Sequence, residues 1–291
     1  MKKCIVMYSG GLDSRLVVKI MKEKGYEILG VSFNLPFSPD GKEKAKQYFK
    51  ENNSELKIMD CTKGELLKEY LEIIKNYKHK TGAGVNPCID CKVYMFSKAK
   101  EIADSLGINL IVSGEVLGER PMSQMLKGLR TIEEESGLSG RIFRPLSAKL
   151  LDDVKGIKKE EYYDIQGRQR DPQMKLAKEF NITYPTPAGG CRLCEPALKK
   201  RLNFLFENNL ITDKSLPLVN TGRHFTMNGA WVIVGRDERE STIIEGFNPH
   251  IDSDIGTPAI YYSKEEAKEF ALKLQKAYKE KKPESFEEFK L

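Results

Sequence analysis

Histidine is scarce in this chain: His79, His224 and His250 are the only three in 291 residues. So few, so far apart, exclude a His-Glu-x-x-His metal helix and leave no convincing histidine-based triad. Long apolar runs are missing as well, and none approaches the ~20 residues that cross a bilayer. The start, Met1-Lys2-Lys3 and then Cys4 to Tyr8, has the charge-then-apolar order of a secretory leader. Its apolar part is far shorter than the roughly 7–15 residues of a leader core, and Ser9-Gly10-Gly11 ends it. A cytosolic chain with no membrane partner is expected. Neither sign of charge dominates: 48 Lys and Arg against 42 Asp and Glu leave +6, which permits a polyanion partner without requiring one. Internal repeats and low-complexity tracts are also absent. What is present is ordinary globular material, 40% hydrophobic and 31% charged, enough for two domains at about 150 residues each.

Six cysteines invite a disulfide reading, but a chain of this length needs no disulfide scaffold, and the cytosol is reducing. Four of them form two Cys-x-x-Cys pairs, Cys88/Cys91 and Cys191/Cys194. That spacing in a reducing compartment favours a metal or redox site. Cys4, in a strand, and Cys61, at a strand end, read as inert core thiols.

Residues 3–8 are β-rich and scarcely alternate, as a buried parallel strand should. Leu16, Val17, Ile20 and Met21 then recur at helical spacing up to Gly25. Further strands are expected at Glu27–Phe33, Leu56–Met59 and Asn109–Ser113, with helices at Lys42–Asn52, around Leu66–Ile74 and at Val93–Leu106. Strands alternating with helices mean βαβ units and a Rossmann-like parallel α/β sheet. From about Gly156 the pattern changes. Gln173–Phe180 and Pro196–Asn208 look helical, with Pro185, Pro187 and Gly189-Gly190 between them. Leu216–Gly235 reads as short antiparallel strands around an Asn228-Gly229 hairpin turn, followed by a helix from Ser263 to Lys281. The expected domains are 1–165, a helical connector 166–211 with the second cysteine pair, and a small α+β domain 212–291.

Ser9-Gly10-Gly11-Leu12-Asp13-Ser14 joins the first strand to the first helix. Glycines let backbone N–H groups close on a phosphate, and the helix N-terminus adds unpaired donors. Ser14 can cap the helix or bond a phosphate. Asp13 would repel phosphate by itself, so it suggests a bridging Mg²⁺. No Gly-Lys-Ser/Thr ends the loop and no third glycine opens the helix, so neither a Walker A motif nor a dinucleotide fingerprint is present. Gly82-Ala83-Gly84 fails the same test, because Pro87 follows.

Cys88 and Cys91 stand at a helix start, where both thiols can face one ion and the helix dipole favours thiolate. Cys191 and Cys194 lie in a glycine turn leading into another helix. Four thiolates suit tetrahedral zinc, the same four suit an iron–sulfur cluster, and three with one open iron suit a catalytic cluster. Spacing leaves all three open.

Ser-Gly-Gly-x-Asp-Ser after a first strand resembles the PP-loop ATP pyrophosphatases, which have an adenine nucleotide alpha hydrolase-like fold, adenylate a substrate oxygen and release pyrophosphate. The resemblance implies that Ser9, Gly10, Gly11, Asp13 and Ser14 hold the pyrophosphate of ATP. Cys88-Ile89-Asp90-Cys91-Lys92, Ser113-Gly114-Glu115-Val116-Leu117-Gly118, Ser123-Gln124 and Arg144-Pro145-Leu146 are similar to the ThiI-type tRNA 4-thiouridine synthetases. That likeness implies ATP contacts from Lys92, Gly114 and Gln124. It covers residues 3–155. The THUMP-type and rhodanese domains of such synthetases are not found in these residues, so the RNA grip and the sulfur carrier are expected to be something else. Cluster-dependent members use three cysteines on a [4Fe–4S] cluster. Cys88, Cys91 and Cys191 fit that role, with Cys194 as an alternative or extra ligand and zinc as the alternative metal.

Residues 199–236 carry six basic and two acidic side chains, a net +4. The stretch resembles a small NFACT-R module of RNA-associated proteins. Its cations, with Phe225 and Trp231, suit RNA by phosphate contact and base stacking. The expectation is an ATP-dependent tRNA sulfurtransferase fed by a sulfide or persulfide donor, with 4-thiouridine ahead of 2-thiouridine. Catalysis would fall to Asp13, Cys88, Cys91 and Cys191, and pairing of two copies is left open. The rivals are a PP-loop enzyme acting on a small molecule, with structural zinc, and a catalytically silent RNA-binding module.

Overall fold

The computed structural model describes residues 2–79, 83–186 and 190–291; Gly82, Pro187 and Gly189 lie outside the described residues. The chain forms two compact units, Met1–Arg192 and Leu193–Leu291.

The first unit contains β1 (Lys2–Met7), α1 (Leu12–Glu23), β2 (Tyr26–Asn34), α2 (Lys42–Glu51), β3 (Glu55–Asp60), α3 (Gly64–Lys75) and α4 (Cys88–Ser105). It continues through β4 (Ile111–Ser113), α5 (Leu126–Glu135), β5 (Ile142–Phe143) and α6 (Asp171–Glu179). The strands lie in the order β3-β2-β1-β4-β5, all parallel. This is the expected parallel α/β sheet. β1 reads as continuously apolar because both its faces are covered. Cys4 and Val6, with Tyr8 just beyond, pack with Leu16, Val17 and Met21 of α1 and Phe49 of α2. Ile5 points to the other side, among Phe96 and Ala99 of α4 and Ile132 of α5. Gly30 of β2 is needed for this packing: a Cβ there would lie 2.2 Å from the Phe49 ring.

Strand order reverses between β1 and β4, so the connections leaving these two strands part to opposite faces. Ligands of open α/β sheets bind in the crevice that opens there, beyond the carboxyl ends of the strands. The loop 8–11 and the segment from Gly114 onward both leave from that point.

Three differences from the sequence reading have local causes. Cys88 and Cys91 are inside the first turn of α4, which starts at Cys88 just after Pro87. α5 and β5 were not expected, since β5 has two residues and the α5 pattern Leu126, Leu129, Ile132 is short. The expected connector 166–211 spans the boundary between the two units. α6 packs on α1 and sends Ala177 into its core, so 166–192 belongs to the first unit and 193–211 to the second.

The second unit begins with α7 (Pro196–Glu207) and α8 (Leu216–Val219), a helical turn where a strand was expected. β6 (Arg223–Met227) and β7 (Ala230–Val234) make the expected hairpin, turning through Asn228 and Gly229 at φ 51° and 71°. α9 (Glu238–Glu245), capped by the Asp237 carboxylate on Glu240 N–H, leads to β8 (His250–Ile251), β9 (Ile260–Tyr262) and α10 (Lys268–Lys279). The sheet is antiparallel in the order β6-β7-β9-β8, with α10 covering one face through Phe270, Ala271 and Leu274. Trp231 and Phe225 are fully buried. Trp231 Nε1 donates to His224 Nδ1 at 2.9 Å, and the two rings stack. The expected stacking of bases on Phe225 and Trp231 is therefore corrected: both are core, and neither face reaches solvent.

Candidate nucleotide and thiol site

The loop after β1 has the backbone of a phosphate cradle. Gly10 sits at φ 83°, which favours glycine, and Gly11 is the extended residue before α1 with no side chain capping the helix. The first N–H groups of α1 are therefore open to an anion. Ser14 does not cap; its hydroxyl donates to Gly11 O at 2.9 Å, and Ser9 Oγ lies 3.4 Å from Ser14 Oγ. Arg15 steadies the loop from outside. Its Nε donates to Gly10 O at 3.1 Å, and its guanidinium lies over the Tyr48 ring, 4.7 Å from the centroid.

Asp13 is in the first turn of α1 with little exposure, and its Oδ1 has no hydrogen-bond partner. Burial first, then the Glu119 carboxylate, push its pKa up to about 6 against the pull of Arg170. Gly114, just beyond β4, touches this turn. A Cβ on Gly114 would lie 2.7 Å from the Asp13 carbonyl carbon and 2.8 Å from Ser14 N. The position thus needs glycine for the close approach of α1 itself.

The next residue, Glu115, anchors a buried charge network. Lys92 Nζ lies 2.6 Å from Glu115 Oε1, Arg144 Nε 3.0 Å from Oε2, and Arg144 also pairs with Glu133. Burial alone would raise the Glu115 pKa, but Lys92 and then Arg144 hold it well below the usual carboxylate range. Lys92 thus reaches from α4 to the residue that follows Gly114. Gln124 is buried at the end of a closed loop in which Gly118 N–H donates to Gln124 O at 2.8 Å, and its Oε1 has no partner.

Lys92 shares its helix with two of the cysteines, and Cys88 precedes it by four residues, one turn along the same face. Cys91 is buried and its thiol donates to Tyr70 Oη of α3 at 3.6 Å. Cys191 comes from far along the chain, yet it and Cys88 are near enough to Cys91 to oppose its ionisation. Cys191 acts in the same way on Tyr70. Cys88 and Cys191 thus both come near Cys91 within the first unit. Cys194 is exposed and belongs to the second unit. One expectation is overturned here. Burial, far more than the helix start, governs Cys91 and raises its pKa well above that of an ordinary thiol. Burial thus disfavours the thiolate, the form in which a metal would be bound. Among the described residues no three His, Cys, Asp or Glu side chains stand in a ready-made metal geometry. The donor chemistry, three soft sulfurs, does suit a thiophilic metal or an iron–sulfur cluster.

The sequence reading overlooked Glu115, Glu119, Arg144, Arg170 and Gln173 as site residues. Glu115 and Arg144 belong to motifs noted above, and a buried carboxylate beside a conspicuous lysine could have been suspected. Arg170 and Gln173 lie more than 150 residues from the glycine loop and carry no local signal.

The family model described as "Thiamine biosynthesis protein (ThiI)" matches residues 1–179. The tRNA-specific 2-thiouridylase MnmA of Petrotoga mobilis is 28% identical over 234 residues, 73% of this chain and 60% of that protein. The protein of Thermococcus kodakarensis named "Probable tRNA sulfurtransferase" is 29% identical over 187 residues, 62% of this chain and 44% of that one. The chain spans 60% or less of the length of these two curated relatives. Among solved structures, one titled "Crystal structure of a 4-thiouridine synthetase - RNA complex with bound ATP" aligns over 75% of this chain and 52% of its own, at 21% identity and a TM-score of 0.42. The matched 1–179 hold the glycine loop, Gly114, Lys92 and the first cysteine pair, and by that match this chain belongs to the ThiI family.

Proposed function

We propose that the chain is an ATP-dependent tRNA sulfurtransferase that adenylates a uridine carbonyl and replaces its oxygen with sulfur, at the 4-position ahead of the 2-position. The observation that carries this reading is one continuous path of residues. Cys88 is one helical turn from Lys92, Lys92 pairs with Glu115, Glu115 follows Gly114, and Gly114 touches the Asp13 turn of the glycine loop. These contacts support reading a sulfur site and a phosphate site as neighbours.

The chemistry then divides as follows. The uridine carbonyl oxygen attacks the α-phosphorus of ATP, and pyrophosphate leaves onto Ser9, Gly10, Gly11, Ser14 and the open N–H groups of α1. Lys92 and Gln124 contact the nucleotide, and Asp13 would hold Mg²⁺ against the phosphates. Adenylation makes the carbonyl oxygen a good leaving group, so a sulfide can attack the base carbon while AMP departs; a persulfide would first leave the base joined to its carrier by a disulfide, which a second thiol would cleave, forming a disulfide with the carrier sulfur and releasing the thiocarbonyl. A cluster held by Cys88, Cys91 and Cys191 would supply an iron with an open position for that sulfur.

Mass spectrometry of tRNA nucleosides from a deletion strain, with and without the gene restored, tests the reading. One thiouridine should vanish and return with the wild-type gene but not with Asp13→Ala. An unchanged nucleoside profile would overturn it.

A further inference from the structure

The nucleotide site has a wall that the family motifs do not reach. Gln166 bridges to Leu117, and Gly167 N–H donates to Leu117 O at 2.7 Å. A Cβ on Gly118 would lie 3.5 Å from Gly167 N. The chain at 166–170 therefore runs beside 117–119, and α6 starts from there against α1. Arg170, the residue before α6, comes to lie between two carboxylates. Its Nη2 is 4.0 Å from Asp13 Oδ2 and its Nε is 3.9 Å from Glu119 Oε1. Neither approach is a hydrogen bond, and the buried Nε has no partner. One turn on, Gln173 is completely buried, and both atoms of its carboxamide lack partners. Asp13 Oδ1 in the facing turn lacks one too. Buried polar groups nearly always have partners, so the unpaired atoms of Asp13 and Arg170, whose charged ends face each other, point to a polar ligand.

Charge decides what that ligand touches. Lys92 and Arg144 are matched by Glu115 and Glu133 in short contacts, and Arg15 is engaged by the carbonyls of Gly10 and Thr183. Pyrophosphate is multiply negative and needs a cation that is not already committed; Arg120, which also acts on Asp13, is exposed, so Arg170 is the less exposed of the two that remain. A guanidinium has five donors, and Arg170 spends none of them in a hydrogen bond to Asp13 or Glu119. We propose that Arg170 is a phosphate-binding residue of this site, with the Gln173 carboxamide beside it as a second contact. The two carboxylates that hold Arg170 loosely also suit a hard cation, which would free the guanidinium for phosphate. The inference rests on the reading of the site as one for ATP.

Magnesium pyrophosphate, titrated calorimetrically into the full chain, is the probe. Arg170→Ala should weaken binding by roughly tenfold to a hundredfold, the range of hydrogen bonds to a charged group. Arg170→Lys should recover part of it. A purely structural Arg170 would only neutralise Asp13 and Glu119, and then Arg170→Ala combined with Glu119→Gln should regain affinity. On the phosphate role the double variant stays weak. Wild-type affinity in Arg170→Ala, or full recovery in the double variant, overturns the proposal. If Arg170→Ala does not fold, Arg170→Lys alone decides, since unchanged affinity there removes the need for the guanidinium fork. A wild-type chain that binds neither magnesium pyrophosphate nor magnesium ATP would instead overturn the ATP reading itself.

Discussion

Asp13→Asn should make the fold more stable while it disables the site. Asp13 has its pKa raised to about 6 from 3.8, by burial first and then by Glu119. Between those two values the folded chain binds a proton that the unfolded chain has released. Stability therefore falls as pH rises through this window and is constant above it. A displacement of about two units corresponds to about 3 kcal/mol, all of it lost at pH 8. Asparagine has the same shape and no charge to bury, and Arg170 keeps Glu119. Urea denaturation at pH 8 should show the variant about 1–3 kcal/mol more stable than the wild type, with the difference closing by about pH 4. Binding of magnesium pyrophosphate by the same protein should be lost. A variant less stable at pH 8, or a difference independent of pH, would refute the claim that this carboxylate is held at a cost for function.

Glu115→Gln should destabilise the first unit by about 3–5 kcal/mol in the same assay, because it leaves Lys92 and Arg144 without their shared carboxylate. Gly114→Ala should cost about 1–3 kcal/mol and weaken pyrophosphate binding, since the new methyl meets the Asp13–Ser14 backbone. Single Ser variants of Cys88, Cys91 and Cys191, reconstituted without oxygen, should each lose iron and sulfide by chemical analysis, while Cys194→Ser keeps them. Equal loss in all four would point to a closed four-sulfur site. In the second unit, replacing Lys199, Lys200 and Lys214 by Gln should lower the salt slope of tRNA binding by up to about 3, one phosphate contact per lysine. An unchanged slope would exclude these lysines as the RNA grip.

The sheet was legible in the sequence because a central strand of a doubly covered sheet must be apolar on both faces, which β1 obeys, while the edge strand β3 showed itself instead by the alternation of Leu56 and Ile58 with Glu55 and Lys57. β5 was not, because two residues have no period; it exists through its register with β4, Ile142 beside Ile111. The hairpin was legible from Asn228-Gly229 alone, since two successive positive φ angles demand such residues. The aromatics beside it misled. Phe225 and Trp231 are flanked by basic residues along the chain, but alternation along a strand says only that two faces exist and not which of them the core takes. Here α10 covers the Phe225 side, and Trp231 stacks on His224.

For the site, what could be read was the part contiguous in sequence: the glycine loop, Cys88 to Lys92, and Gly114. What could not be read was the compensation of charge. A lysine beside a Cys-x-x-Cys reads as a phosphate cation, yet in the folded chain Lys92 is already matched by Glu115, and Arg144 by Glu115 and Glu133. A cationic side chain left with only long contacts to carboxylates is Arg170, which the fold brings from the start of α6 to the glycine loop. Motifs mark where a ligand's shape is met; which charges remain to meet its charge is settled only when distant parts of the chain are packed together. The same holds for sulfur. A helix start favours thiolate at Cys91, and burial in the core that closes over it reverses that preference against the opposing pull of the Tyr70 hydroxyl. A thiophilic metal bound there would have to take the proton from Cys91, so the affinity of that sulfur would depend on pH and on the soft-donor character of what arrives.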